Sequence, residues 1–236
     1  MLLHGLRSPV FGTNTLVLAT GADGPAVVVD PGAGSAPLVH EVLRRHGLHV
    51  GAVVVTHGHA DHLWDCAAVA GEAPVLVGAD DADRFTDPAG HLGAVGGAFA
   101  TLAGTPWQPV SEVRPVGPGA HEPVPGVVLH AVAAPGHTPG STMWRLDGVT
   151  ALTGPAFAEA GVTAHDGPVV LTGDVIFAGS VGRTDLPGGD EARMRRTLRE
   201  LASSLPADAL LVPGHGPATT TARELATNPF IARALA

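Results

Sequence analysis

The chain has 236 residues, 45% of them hydrophobic, enough for one sizeable core, so we expect a single domain over residues 1–236. Its net charge of −9 and its few, dispersed basic residues, all arginine, argue against nucleic acid as a partner. The single Cys66 excludes an internal disulfide. With no apolar run of membrane-spanning length and no secretory signal, we expect a cytoplasmic protein without membrane contact.

The first third of the chain predicts an alternation of strands and helices. Residues 14–19 and 26–30 are apolar runs flanking a Gly-rich turn, which is typical of a hairpin. Residues 35–46 have a helical period that Gly47 ends, and residues 51–56 form a further strand. A short helix is expected over residues 63–71.

The rest of the chain predicts a second series of strands. We expect strands at 74–77, 127–133, 142–146, 169–172 and 208–212, a short helix at 79–85, a helix at 190–204 capped by Asp190, and a terminal helix from Thr221. Residues 86–126 are rich in Gly and Pro and are interpreted as a long excursion that carries substrate-contacting loops or only connects the halves. Residues 150–167 are interpreted as an inserted surface loop.

Residues 57–62 read His-Gly-His-Ala-Asp-His and directly follow a predicted buried strand. Imidazole and carboxylate groups at this density are typical of a site for divalent metal. Alternate residues of an extended segment point the same way, so His57 and His59 can meet one ion. Asp61 and His62 cannot easily reach that ion, and two ions side by side would use the whole motif. Asp61 also lies where a helix N-terminus favours a carboxylate.

Three later residues have the same character. His137, Asp174 and His215 each follow a predicted strand, in Pro-Gly-His-Thr-Pro-Gly, Leu-Thr-Gly-Asp and Pro-Gly-His-Gly. The adjacent glycines permit close approach in a crowded pocket. Together with the first motif they supply five histidines and two aspartates, enough for two ions that share a bridge. We interpret the remaining eight histidines as ordinary surface or structural residues.

The full set of motifs, from Asn14 to Phe230, resembles the metallo-β-lactamase superfamily. Within it the resemblance is closest to glyoxalase II-like hydrolases, notably in residues 173–177, 182–190 and 228–230. The resemblance implies a four-layer αββα sandwich with the metals at one edge. It also implies that an aspartate at position 174 counts against antibiotic hydrolysis, because β-lactamases of the superfamily do not use one there.

Carried over position by position, the resemblance implies a residue set for each ion. His57, His59 and His137 would hold the first ion, and Asp61, His62 and His215 the second, with Asp174 bridging both. Asp30, in an Asp-Pro-Gly turn, matches a position that supports the metal loop by hydrogen bonding. The expected cofactors are two divalent ions, with zinc preferred to iron or manganese.

The predicted function is hydrolysis of a thioester of a small thiol. A hydroxide shared by two ions would attack the carbonyl, one ion would stabilise the oxyanion, and Asp61 and Asp174 are the candidate catalytic residues. A thiolate leaves readily, so no strong general acid is needed. Arg183 is the candidate substrate contact, against the alternative of a structural ion pair with Asp185 or Asp190.

Several alternatives stay open at this point. Glyoxalase II binds glutathione partly through Tyr and Lys, and this chain has neither, so mycothiol or bacillithiol are candidate carriers. A persulfide dioxygenase would use one iron on His57, His137 and Asp174. A lactonase or other ester hydrolase, or a binding module with a structural metal, are further possibilities, and the oligomeric state is left open.

Overall fold

Two β-sheets pack face to face with helices on both outer sides in the computed structural model, which describes residues 1–236. The first sheet has the order β10-β1-β2-β3-β4-β5-β6. Its strands are β1 (Leu2–Arg7), β2 (Asn14–Ala19), β3 (Pro25–Val29), β4 (His49–Val54), β5 (Val75–Gly78), β6 (Val113–Val116) and β10 (Ala151–Thr153). This arrangement confirms the predicted αββα class.

The second sheet has the order β15-β14-β11-β9-β8-β7. Its strands are β7 (Gly119–Val124), β8 (Val127–Ala133), β9 (Thr142–Leu146), β11 (Val169–Gly173), β14 (Leu210–Pro213) and β15 (Thr219–Thr220). A separate ribbon pairs β12 (Ile176–Phe177) with β13 (Ser180–Val181).

Eight α-helices complete the fold. They are α1 (Ala36–Arg45), α2 (Ala60–Leu63), α3 (Cys66–Ala70), α4 (Gly96–Ala103), α5 (Pro155–Ala160), α6 (Glu191–Ser204), α7 (Thr221–Thr227) and α8 (Pro229–Leu235), with 3-10 helices at Ala79–Phe85 and Gly90–Val95. None of these helices has both the length and the apolar character that a membrane crossing requires.

The four layers follow from three apolar clusters. The largest lies between the sheets and joins residues such as Val54 of β4 to Leu171 of β11. A second joins α1 and α3 to the outer face of the first sheet, and a third joins α6 and α8 to the second sheet. Because both of its faces are covered, β2 is buried at all six positions, which explains its continuous apolar run.

Several boundaries differ from the sequence-based expectation. The helix predicted at 63–71 is two short helices, α2 and α3, and the first begins at Ala60. The excursion predicted at 86–126 contains a 3-10 helix, α4, β6 and β7. The surface loop predicted at 150–167 is wrong in part, because it contains β10 and α5, and Phe157 of α5 is buried. The first strand, β1, was not predicted.

The sheets meet at one edge through backbone hydrogen bonds. The amide of Thr142 donates to the carbonyl of Thr56 at 2.8 Å, and that of Asn14 donates to Gly214 at 2.7 Å. The carboxyl ends of β3, β4, β8, β11 and β14 all reach this edge, because β3 runs parallel to β4 and β11 parallel to β14. This edge is therefore where loops from both sheets come together.

Candidate metal centre

The edge between the sheets brings together all seven side chains that the sequence nominated as metal donors. Three sets of ligand atoms lie close enough to share an ion: His57, His59 and His137; Asp61, His62 and His215; and His57, His62 and Asp174. Four of the seven residues follow β4 and three follow strands of the second sheet. The site therefore exists only where both sheets are assembled.

The first group is a cluster of three imidazoles. His137 Nε2 lies 2.8 Å from His59 Nδ1 and 3.2 Å from His57 Nε2. His57, His59 and His137 are each at most 3% exposed. As predicted for alternate residues after a strand, His57 and His59 are directed to the same point.

The second group combines a carboxylate with two imidazoles. His62 Nε2 lies 3.2 Å from His215 Nε2, and Asp61 Oδ2 lies 3.2 Å from the same His215 atom. Asp61 stands in the first turn of α2, as expected for a carboxylate at a helix N-terminus.

Asp174 lies between the two groups. Its Oδ1 is 3.3 Å from His62 Nε2, and its Oδ2 is 3.6 Å from both His137 Nε2 and His215 Nε2. A single carboxylate thus contacts donors of both groups, which is the position required of a bridge.

Hydrogen bonds around the site fix which ring nitrogens face inward. His137 Nδ1 donates to the carbonyl of Arg183, His215 Nδ1 to that of Phe11, and His62 Nδ1 to Asp30 Oδ2. Each of these rings therefore directs Nε2 towards the cluster. His57 Nδ1 lies 3.1 Å from the Thr56 hydroxyl, so its Nε2 also points inward.

This donor set fits divalent metal on chemical grounds. With Nδ1 of both rings donating outwards, the Nε2 atoms of His62 and His215 face each other at 3.2 Å and need a cation between them. Without a metal ion a proton takes that place, because burial, which lowers the pKa of both imidazoles, is outweighed by the neighbouring carboxylates, which raise it. Asp174 Oδ1 is also buried without a hydrogen-bond partner. A pair of cations resolves both conflicts, because neutral imidazole and carboxylate are the ligand forms that metals require.

The protonation of the donors follows their surroundings. Burial lowers the pKa of His59 to about 3, and the charge of His137 adds to the effect. Burial likewise lowers the pKa of His57 well below its usual value. For Asp174, burial acts upwards, but the neighbouring charges on His62, His215 and His137 outweigh it and lower the pKa. His57 and His59 are therefore neutral and Asp174 ionised at neutral pH.

Asp30 supports the site from β3. It stands in the left-handed backbone region with φ of 48° and is only 2% exposed. Its carboxylate accepts from the Thr56 amide and hydroxyl, both at 2.7 Å, and from His62 Nδ1 at 3.0 Å. One side chain thus fixes the start of the His57 loop and the ring of His62, the supporting contact predicted for it.

A second buried carboxylate, Asp81, was not identified from the sequence. It accepts from the Gly58 amide at 2.7 Å, the Thr138 hydroxyl at 2.6 Å and the Gly140 amide at 2.8 Å, and pairs with Arg84 at 3.2 Å. It therefore ties the His57–His59 loop to the His137 loop. The one available signal was an Asp three residues before an Arg in the segment directly after a buried strand.

Gly214 shows why glycine precedes His215. A Cβ at this position would lie 2.2 Å from Asp174 Oδ1 and 2.5 Å from His62 Cε1. No larger residue fits there without displacing two proposed ligands.

A cavity of about 670 Å³ opens over the donors. Its walls come from the loop after β1, the Gly90–Ala103 region, the β12–β13 ribbon and the following loop. Arg183 lies on the wall and is also paired with Asp185 through two hydrogen bonds of 2.6 and 2.7 Å. Both interpretations of Arg183 are thus compatible with its position, because the exposed pair borders the cavity.

An αββα sandwich with histidine and aspartate donors at its edge defines a class of metal-binding protein. The sequence model of the metallo-beta-lactamase superfamily matches residues 8–154 and 141–215. The chain therefore belongs to that superfamily.

Two curated relatives span nearly the whole chain. An uncharacterized protein of Mycobacterium tuberculosis is 32% identical over 98% of both chains. The hydroxyacylglutathione hydrolase GloC of Haemophilus influenzae is 27% identical over 87% of both chains.

Two solved structures share the fold. BLEG-1, described as a B3 metallo-beta-lactamase, is 27% identical with a TM-score of 0.74 and covers 98% of this chain and 99% of its own. TTHA1623, crystallised in a di-iron-bound form, is 29% identical with a TM-score of 0.72 and covers 96% of this chain and 98% of its own.

Proposed function

We propose that the chain is a dinuclear metallohydrolase that cleaves the thioester of a small thiol, as the glyoxalase II-like resemblance implies. The observation that carries the proposal is the position of Asp174 between two complete donor groups. The likeness to GloC, which is named a hydroxyacylglutathione hydrolase, supports the thioester. The likeness to TTHA1623, which was crystallised in a di-iron-bound form, supports two ions.

The chain supplies a ready set of ligands. His57, His59 and His137 would hold one ion, and Asp61, His62 and His215 the other, with Asp174 shared. When bound, two divalent ions supply a lowered pKa for water and electrostatic stabilisation of negative charge on a carbonyl oxygen. Zinc is the proposed metal, although the di-iron form of TTHA1623 makes iron a second candidate.

The protein groups around the site perform the remaining tasks. Asp61 and Asp174 are the only carboxylates on the cavity wall, and they are the groups available to accept hydrogen bonds from an attacking water. A substrate seated against the eight hydrophobic lining residues would exclude bulk water from its carbonyl, which would strengthen these interactions. No further acid lines the cavity, which suits a thiolate that departs without protonation.

Arg183 is the proposed contact for the thiol carrier. It is exposed, lines the cavity and borders a smaller neighbouring pocket that also contains Arg195 and Arg233. A carboxylate on the carrier would replace that of Asp185 at its guanidinium. We therefore propose that the carrier is a small acidic thiol. We also propose that the protein works in the cytoplasm.

Metal content and oxygen uptake of the purified protein test this proposal together. Two ions per chain and oxygen-independent release of thiol from an acyl-thiol are expected. One iron per chain with persulfide-dependent oxygen consumption would instead support the dioxygenase alternative. The substrates assayed with the purified protein also include a homoserine lactone, for the lactonase alternative. A chromogenic β-lactam is added because BLEG-1 is named a beta-lactamase.

Asp174→Ala tests the bridge. It should remove at least one ion per chain and abolish hydrolysis. Asp208→Ala, at an exposed aspartate before the amino end of β14 and therefore opposite His215, should keep both ions. Full turnover in the Asp174 variant would show that the bridge assignment is wrong.

A further inference from the structure

Apart from the proposed metal ligands and Arg183, the cavity over the metal donors is lined only by hydrophobic residues. Fourteen residues line it, and eight of them are hydrophobic. All six polar lining residues are already assigned: five are proposed metal ligands and the sixth is Arg183. No hydroxyl or amide side chain is left on the wall to recognise a polar group of the substrate.

Aromatic residues are concentrated at this wall. The chain has only six phenylalanines, and Phe11, Phe99 and Phe177 all line the cavity. Phe11 is 57% exposed and lies beside other apolar lining residues, and contiguous exposed apolar surface of this kind marks ligand-binding grooves. Val95 at the same wall is 46% exposed.

The aromatic wall is anchored in the protein. Phe99 of α4 stacks on Phe11 with ring centroids 5.4 Å apart, and its other neighbour is the buried Trp64 at 5.1 Å. Trp64 in turn contacts Trp107 at 5.7 Å and donates from Nε1 to the carbonyl of Thr105. The wall is therefore preformed, as is typical of a ligand pocket.

Arg183 and the apolar residues of the Gly90–Ala103 region lie at different parts of the cavity wall. Arg183 and Val181 line both the main cavity and the neighbouring arginine-containing pocket, so a polar carrier has a route out on that side. Leu92, Val95 and Phe99 come from the Gly90–Ala103 region, which does not border that pocket. A substrate with one polar end and one apolar end matches this division.

We propose that the site selects thioesters whose acyl group is an unbranched apolar chain of about four to eight carbons, seated on Phe11, Leu92, Val95 and Phe99. The inference rests on the proposed thioester hydrolysis and adds its acyl specificity. A hydroxylated or charged acyl group is disfavoured, because the wall offers its polar atoms no partner.

A series of acyl groups on one thiol carrier tests the specificity. Acetyl, butanoyl, hexanoyl and octanoyl thioesters of N-acetylcysteamine should show kcat/KM rising with length. The expected gain is about fourfold per methylene while the chain stays on the wall, corresponding to about 0.8 kcal/mol. A flat series, or one that favours a hydroxyacyl thioester over its unsubstituted equivalent, would overturn the inference.

A wall variant with a matched control locates the effect. Val95→Asp places a carboxylate in the apolar wall and should lower the hexanoyl to acetyl ratio of kcat/KM by at least tenfold. Val128→Asp changes an equally exposed valine, 42% against 46%, that lies on β8 outside the cavity, and should leave the ratio unchanged. An unchanged ratio in the Val95 variant would contradict the assignment of the wall.

Binding without turnover separates this inference from the proposed function. S-alkyl thioethers of the same carrier cannot be hydrolysed, and calorimetry should show tighter binding with increasing chain length in the metal-loaded protein. If that trend appears but no thioester is cleaved, the thioester proposal fails and the apolar pocket stands. If thioesters are cleaved but neither affinity nor rate depends on length, the proposed function stands and the acyl specificity fails.

Discussion

Two buried aspartates that are not among the proposed ligands hold the metal loops in place. Asp30 fixes the residue before His57 and the ring of His62, while Asp81 joins the His57 loop to the His137 loop. Each therefore acts on the positions of donors that come from different parts of the chain. The geometry of the centre depends on these two carboxylates as well as on the ligands themselves.

Asp81→Asn tests this dependence. Its carboxylate accepts three hydrogen bonds and pairs with Arg84, and an amide cannot accept all of them. We expect metal affinity to fall about 10-fold to 100-fold, the usual effect of losing a supporting contact. We also expect the free energy of unfolding to fall by about 3 kcal/mol, because Arg84 is left buried without its partner.

The control for this experiment is Asp80→Asn, at an exposed neighbour. Metal titration and urea unfolding should give wild-type values for it. Equal metal affinity in the Asp81 and Asp80 variants would contradict the positioning role.

Gly214→Ala probes the close approach beside His215. The added methyl would lie 2.2 Å from Asp174 Oδ1, so Asp174 or the loop must move. We expect loss of at least one ion per chain by metal analysis, together with a fall in stability of about 1–3 kcal/mol. The matched control is Gly97→Ala, because a Cβ at Gly97 meets open space. Gly216→Ala does not serve, because the positive φ of Gly216 would strain an alanine. Two ions retained in Gly214→Ala would show that the loop adapts.

At the scale of residues, the sequence predicted the donors better than their supports. A donor such as His137 carries its signal in a local motif, Gly-His next to a strand end. Asp81 has no such motif, since its three partners lie 23, 57 and 59 positions away in the chain. Its role arises only when two loops meet, which the local sequence does not encode.

At the scale of elements, segments with a clear hydrophobic period were predicted, whereas short elements without a period were not. Helix α6 begins after Asp190, whose side chain accepts from the Arg193 amide at 2.8 Å, and it buries Met194, Leu198 and Leu201 as the pattern indicated. Strand β10 is only three residues long, and its pairing with β1 joins segments about 149 positions apart. A strand this short carries no periodicity, so residues 150–167 resembled a loop.

Phe157 on α5 tests the corrected interpretation of that segment. It is 1% exposed and packs in the cluster between the sheets, so Phe157→Ala should lower the free energy of unfolding by about 3–5 kcal/mol in urea. Phe230→Ala, at a phenylalanine that is 40% exposed, should cost no more than about 1 kcal/mol. Equal costs would show that the segment does not belong to the core.

At the scale of the whole molecule, the metals would link the two sheets. The proposed ligands come from loops on both, so bound ions favour the assembled state over separated sheets. Removal of metal by a chelator should lower the free energy of unfolding by about 2.7 kcal/mol for each ion, relative to protein with metal at one hundred times its dissociation constant.

The single thiol offers a measurement of this effect. Cys66 is fully buried, and burial raises the pKa of its thiol well above the usual value, so it should be unreactive in the folded protein. Its labelling rate reports opening of the structure, and it should increase on chelation and return on addition of metal. A rate that is unaffected by chelation would contradict the link between metal and assembly.

The pairing of β1 with β10 has a consequence for synthesis on the ribosome. Strand β10 belongs to the second half of the chain but completes the edge of the first sheet, beside residues Leu2 to His4. A nascent chain that ends before it has an open sheet edge and five of the seven donors, without Asp174 and His215. Until His215 emerges, such a chain has partial sites that can capture the wrong cation, and its exposed edge is a place where a chaperone or another nascent chain can pair.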